Sequence, residues 1–162
     1  MIKLTKKIVL VGHFGVGKSS LIRRFVNNAF SDDYKVTIGV NIMKKEITID
    51  QTIFSFVIWD VEGNESIEDI RASYLSGAAG FIYVVDATRK STFVNINTDL
   101  DFLNKLYVDV PVVKVANKLD LISPEQASSM FREKGIEINF FTSAKTGENV
   151  NNIFYDLGNK MI

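Results

Sequence analysis

The sequence predicts a doubly wound α/β domain on a mostly parallel six-stranded sheet with one antiparallel edge strand, and three observations carry that reading. The apolar run Ile8-Val9-Leu10-Val11 passes through a glycine-rich turn straight into a helix-capable segment. Residues 81–85 and 112–116 are short and almost wholly apolar, as strands covered on both faces of a parallel sheet are. Segments of helical spacing alternate with these strands, which requires crossover connections rather than hairpins.

Residues 6–11 form the first expected strand and 18–27 the first helix. Residues 28–38 contain Asp32-Asp33 and no clear periodicity, so they are expected as a loop. Residues 41–49 alternate and meet Asp50-Gln51, a hairpin turn leading into 54–59. Residues 81–85 and 112–116 are the buried strands. Between them, 92–107 has helical spacing through Phe93, Ile96, Leu100, Leu103 and Leu106. Ser123 caps a helix that opens with Pro124 at its first position and stops at Gly135. The last strand is expected at 136–141 and the last helix at 149–160, with Val150, Ile153, Phe154 and Leu157 on its buried side. No repeat, linker or low-complexity tract interrupts this order, so residues 1–162 are expected to form one domain.

Composition excludes several classes. Nineteen basic residues balance nineteen acidic ones, which leaves no basic excess for a nucleic-acid surface. The chain has no cysteine, which excludes disulfides and thiolate metal sites within it, and no prenylation signal is expected. No apolar run reaches membrane-spanning length, and no signal peptide is expected ahead of Lys6-Lys7. The expectation is a cytoplasmic monomer without a covalent membrane anchor.

The turn after the first strand carries the chemistry. Gly12-His13-Phe14-Gly15-Val16-Gly17-Lys18-Ser19 has the spacing G-x-x-x-x-G-K-S of a phosphate-binding loop. Glycines let the backbone curl until successive N–H groups converge on one anion. The following helix brings its own unpaired N–H groups to the same place. Lys18 reaches phosphate oxygens, and the Ser19 hydroxyl can ligate Mg2+. Gly12, Phe14, Gly15, Val16, Gly17, Lys18, Ser19 and Ser20 are therefore assigned to phosphate binding.

Asp60 ends the strand 54–59, where a carboxylate can hold Mg2+ through its water shell. Gly63 follows, and a backbone N–H there meets a γ-phosphate with no side chain in the way. Thr37 lies in the loop before the hairpin, and its hydroxyl can complete the metal shell when a third phosphate is present. That would make the loop a sensor ordered by triphosphate. Phe30 and Tyr34 flank Thr37. They serve either as anchors to the core or as covers, one for the purine and one for the phosphates.

Asn117-Lys118-Leu119-Asp120 follows the strand 112–116. A carboxylate accepts from both the N1–H and the exocyclic amine of guanine, a pattern adenine lacks, so Asp120 is the specificity residue. Asn117 can tie this loop to the phosphate loop, and the stem of Lys118 can lie along the base. In Ser143-Ala144-Lys145, after the last strand, a backbone N–H can meet the guanine oxygen while Ser143 supports Asp120. An adenine-directed enzyme is the weak alternative, because Asp120 would have no partner on that base.

Taken together the motifs resemble the Ras superfamily of small GTPases, most of all its Rab-type members. The resemblance runs from about residue 6 to 157. It rests on Gly12 through Ser19, Thr37-Ile38-Gly39, Trp59-Asp60-x-x-Gly63-x-Glu65, Tyr74-Leu75-Ser76-Gly77-Ala78, Asn117 through Asp120, and Ser143 through Lys145. It implies a G domain that holds GTP or GDP with Mg2+. It also implies two switch loops, 32–40 and 60–76, that present themselves to effector and regulatory proteins, including an exchange factor and an activating protein. By that resemblance Phe30 packs edge-on against guanine and Tyr34 closes over the phosphates.

Three positions depart from the family pattern, all around the γ-phosphate. Asn64 stands where most relatives carry glutamine, one methylene longer, so an attacking water is held less well. Val61-Glu62 replaces the usual Thr-Ala, and Glu62 either positions water or repels phosphate. Phe14 fills a position that is small in many relatives. Lys18, Asn64 and Glu62 are the catalytic candidates. The expected function is a switch with slow GTP hydrolysis, with a nucleotide-bound pseudo-GTPase as the alternative.

Overall fold

A computed structural model describes residues 1–33 and 35–162. Its elements are β1 (Ile2–Gly12), α1 (Lys18–Asn27), β2 (Val40–Ile49), β3 (Thr52–Val61), α2 (Ala72–Leu75), β4 (Gly80–Asp86), α3 (Ile96–Leu106), β5 (Val112–Asn117), α4 (Pro124–Glu133), β6 (Phe140–Phe141) and α5 (Val150–Asn159). The six strands form one sheet in the order β2-β3-β1-β4-β5-β6. Among the described residues only the β2–β3 pair at the edge is antiparallel. The predicted fold class is the one observed.

Strand periodicity sorts the core. Side chains alternate across β1, so Ile8 and Leu10 enter one apolar cluster while Val9 and Val11 enter the other. The first cluster is covered by α1 and α5, whose Phe25 and Phe154 rings stack 3.8 Å apart and nearly parallel. The second is covered by α3 and α4 through Leu103 and Phe131. All seven residues of β4 are buried, which explains the nearly continuous apolar run that precedes its final Asp86. Full burial of side chains such as Phe54, Phe81 and Phe93 stabilises by about 1.5–3 kcal/mol each.

The register fixes where chemistry collects. Leu10 pairs with Asp60, Gly12 with Val84, and Asp86 with Asn117, so these strands deliver their carboxyl ends to one rim. In an open α/β sheet that rim is where ligands bind.

Two elements differ from their sequence expectation. The helix expected over 92–107 begins only at Ile96. The Thr92 hydroxyl donates to the Arg89 carbonyl at 2.7 Å and accepts from the Asp86 N–H at 3.0 Å, which pins a 3-10 turn, Lys90–Thr92, to the end of β4. The strand expected over 136–141 shrinks to Phe140–Phe141. There the Asn139 side-chain oxygen accepts the Lys114 N–H at 2.7 Å, taking the place of a backbone carbonyl in the ladder. Smaller differences favour longer strands: β1 starts at Ile2, and β3 runs through Asp60 to Val61. The α4 cap is as expected, with the Ser123 hydroxyl accepting from the Gln126 N–H at 3.1 Å. Among the described residues no helix is long and apolar enough to cross a membrane.

Candidate functional site

Residues 12–17 turn from β1 into α1, and Phe14, Gly15 and Gly17 among them line a cavity of about 320 Å3 at the carboxyl rim. Gly17 adopts φ +101°, and a Cβ there would lie 2.3 Å from the Asn117 amide nitrogen. Only glycine lets the loop pass this close to β5 while turning its amides inward. No side chain caps α1, so its first N–H groups are free to meet an anion.

Lys18 is only 6% exposed. Its ammonium donates to the carbonyls of Gly12 and His13 at 3.3 and 3.2 Å. Burial pushes its pKa down to about 8, partly opposed by the charge of Asp60. A buried ammonium held by neutral carbonyls is electrostatically incomplete, and an anion in the cavity supplies what is missing.

Ser19, Thr37 and Asp60 converge beside it from three separate segments. The Ser19 hydroxyl donates to Asp60 Oδ2 and lies 2.8 Å from the Thr37 hydroxyl, which itself reaches Asp60 Oδ2 at 3.3 Å. Asp60 is 2% exposed, and its Oδ1 is buried without a hydrogen-bond partner. Burial raises its pKa, while the Ser19 bond and Lys18 pull it back. Two hydroxyls and one carboxylate with an open oxygen suit a hard, oxygen-seeking cation. Among the described residues no three His, Cys, Asp or Glu side chains cluster, so a cation held here takes its remaining ligands from phosphate and water. Mg2+ fits this donor set.

The opposite end of the cavity is built by two loops that brace one another. The Asn117 amide donates to the Val16 carbonyl at 3.0 Å. Its oxygen accepts from the Thr142 hydroxyl at 3.1 Å and the Ala144 N–H at 3.2 Å. Asn117 thus ties the phosphate loop to the residues after β6. The Ser143 hydroxyl donates to Asp120 Oδ1 at 2.8 Å, leaving Oδ2 for a ligand. Lys118, Asp120, Ala144 and Lys145 line the cavity, and so does Phe30. Gly12, Val16 and Ser143 stand behind the lining as supports. Tyr34 lies outside the described residues.

The three catalytic candidates separate. Lys18 lines the cavity, but neither Glu62 nor Asn64 does. The Glu62 carboxylate accepts from the Gly39 N–H at 3.2 Å, and the Asn64 amide donates to the Glu62 carbonyl at 2.9 Å. Between them Gly63 rests on the phosphate loop, where a Cβ would come within 2.5 Å of the Phe14 backbone. Phe14 lines the cavity and remains 47% exposed.

Sequence reasoning missed Arg24. It crosses from α1 to donate through Nε to the Ala144 carbonyl at 2.9 Å, fixing the loop after β6. An arginine on a helix face gives no sign in the sequence that its partner is 120 residues away.

Comparison with known proteins agrees with this geometry. The family model described as Ras family matches residues 7–162. The Ras-related protein RABA1c of Arabidopsis thaliana is 40% identical over 93% of this chain and 72% of its own length. The GTP-binding protein YPT53 of Saccharomyces cerevisiae is 33% identical over 98% of this chain and 77% of its own. The Ypt/Rab-type GTPase YPT7 of the same yeast is 33% identical over 93% and 78%.

Proposed function

The chain belongs to the Ras family and is Rab-like, a GTP-binding switch by kinship, and from that premise we propose that it hydrolyses GTP slowly, with Mg2+, to GDP and phosphate. The single observation that supports this most is one cavity reached at one end by Lys18, Ser19, Thr37 and Asp60, and at the other by Asp120. A guanine nucleotide is a ligand with a polyanion at one end and a two-donor base edge at the other.

In this reading the loop amides and Lys18 bind the phosphates, and Lys18 offsets negative charge that develops as the γ-phosphoryl group is transferred. Ser19, Thr37 and Asp60 are the residues that would hold Mg2+, which supplies positive charge to the β- and γ-phosphate oxygens. Asp120 accepts the two guanine donors, with Ser143 holding its other oxygen. The Lys118 stem lies along the base, and the Ala144 and Lys145 backbone faces the guanine oxygen. The slow rate is supported by Asn64, whose amide is engaged with the Glu62 carbonyl instead of lining the cavity.

The same observation favours a second reading, a pseudo-GTPase that keeps bound nucleotide as a docking surface. In either, effector and regulatory proteins engage residues 32–40 and 60–76. Ile38 at 87% and Val36 at 49% exposure offer an apolar contact there. A cytoplasmic, monomeric protein that does not bind nucleic acid accompanies both readings.

The test begins with extraction of nucleotide from the purified protein, followed by single-turnover hydrolysis of γ-labelled GTP with Mg2+. Bound guanine nucleotide and slow phosphate release support the switch. Bound GTP that outlasts the assay supports the pseudo-GTPase, and bound adenine nucleotide overturns both.

A further inference from the structure

Asp86 closes β4, is completely buried, and does not line the cavity, yet it faces Lys118, which lines the cavity, and Arg89, which bonds the phosphate loop. Its Oδ1 accepts from the Thr88 N–H and hydroxyl at 2.8 and 2.6 Å, which fixes the carboxylate's rotation. That aims Oδ2 at two cations. The Lys118 ammonium lies 3.0 Å away and the Arg89 guanidinium 3.9 Å away. Lys118 belongs to the loop expected to carry the base, and its φ of +69° lies in the left-handed region that a lysine uncommonly occupies. Arg89 donates from the same Nη1 to the Phe14 carbonyl at 3.0 Å, on the phosphate loop.

We propose that Asp86 is a positioning residue for nucleotide binding. One buried carboxylate holds the Lys118 stem in place beside the base and steadies Arg89 against the phosphate loop, so that it sets how long nucleotide stays bound. The idea rests on the guanine-nucleotide reading above. A buried carboxylate facing two cations is a shared anchor, because removing its charge releases both while leaving its hydroxyl and amide bonds to Thr88 available. Asp86→Asn is the substitution that does this.

The measurement is release of fluorescently labelled GDP from the full chain, with Mg2+ and excess unlabelled GDP. Asp86→Asn is expected to speed release tenfold or more in the parent, and less than twofold when Lys118→Met and Arg89→Ala are already present. Release within twofold of the parent overturns the proposal. So does equal acceleration in both backgrounds, which marks a merely structural role. Should Asp86→Asn not fold, Lys118→Met and Arg89→Ala are combined instead: a shared anchor makes their effects depart from multiplicative by threefold or more, and independent effects overturn it. A parent that binds no guanine nucleotide at all removes the underlying reading, and this proposal with it.

Discussion

Glu62 and Gly39 bond to each other in both directions. The Glu62 N–H donates to the Gly39 carbonyl at 2.9 Å, and the Gly39 N–H donates to Glu62 Oε2 at 3.2 Å. Val40 and Val61 are the last backbone pair of the β2–β3 ladder, so this exchange carries the pairing one step further, with a side chain in place of a carbonyl. Residues on the two expected switch loops are thereby joined directly.

The carboxylate is therefore engaged with backbone, which adds a third role to the two that the sequence offers for it. Glu62→Ala is expected to leave the Gly39 N–H without its acceptor and to destabilise the protein by about 1 kcal/mol. Faster amide exchange at Gly39 should accompany a change in GTP hydrolysis of less than tenfold. A larger rate change with unaltered exchange would return the carboxylate to the phosphate.

Ser19→Asn is expected to weaken GTP binding in Mg2+ more than GDP binding, because the triphosphate depends more heavily on the metal. The Ser19 hydroxyl sits between Thr37 and Asp60, so the substitution disturbs all three oxygen donors together. Titrations with and without EDTA check it. Equal affinities for both nucleotides, unchanged from the parent, would remove Ser19 from the metal shell.

Asp120→Asn is expected to exchange guanine preference for xanthine, since an amide offers a donor where xanthine presents a carbonyl. Ser143 bonds Asp120 Oδ1, so an asparagine that keeps its oxygen on Ser143 turns its nitrogen towards the ligand. Competition among GTP, XTP and ATP decides the matter. Undiminished preference for GTP would take base reading away from this position.

Lys18 ties affinity to pH. Its folded pKa of about 8 lies below the ordinary 10.5, so between these values the unfolded chain binds more protons than the nucleotide-free fold. Stability of the empty, metal-free protein is therefore expected to rise with pH through that window. Below pH 8 the cost of the buried ammonium is fully present. Phosphate favours the charged amine, so GDP binding at pH 9 should take up a proton. Calorimetry in two buffers of different ionisation heat, with EDTA, measures this uptake, and equal heats would show that Lys18 is already charged.

Much of this was legible because local chemistry and tertiary position coincide. The phosphate loop needs its glycines wherever it occurs, and β4 and β5 advertise their burial by the nearly continuous apolar runs 81–85 and 112–116, broken in the second by Lys114. What stayed hidden depends on partners remote in sequence. Asn139 fits the pattern of a strand residue, but its side-chain oxygen accepts the Lys114 N–H while its own N–H bonds the Lys114 carbonyl. Thr92 fitted a helical pattern, but its hydroxyl holds the end of β4 instead. The place of Glu62 between Asp60 and Gly63 offers it two roles at the γ-phosphate, while its carboxylate turns to the Gly39 N–H on the approach to the neighbouring strand. Spacing shows which residues arrive at the rim. It does not show which way a flexible side chain turns once there.

Asn64→Gln is expected to raise the intrinsic hydrolysis rate about tenfold, which corresponds to about 1.4 kcal/mol in the barrier. In the parent, the Asn64 N–H donates to the Gly12 carbonyl at 3.2 Å, so its backbone is already moored to the phosphate loop. Its short side chain folds back to the Glu62 carbonyl at 2.9 Å. One added methylene lengthens the reach from that mooring, and a preorganised donor near the attacking water is worth several-fold to several hundred-fold in rate. Phe14→Gly provides the companion test, because Gly63 leans on the Phe14 backbone and the ring shares the same end of the cavity. If Asn64→Gln alone leaves the rate within twofold but the pair raises it, crowding by Phe14 is the limiting feature. If neither single-turnover measurement moves, water placement does not limit the reaction, and the pseudo-GTPase reading gains the stronger claim.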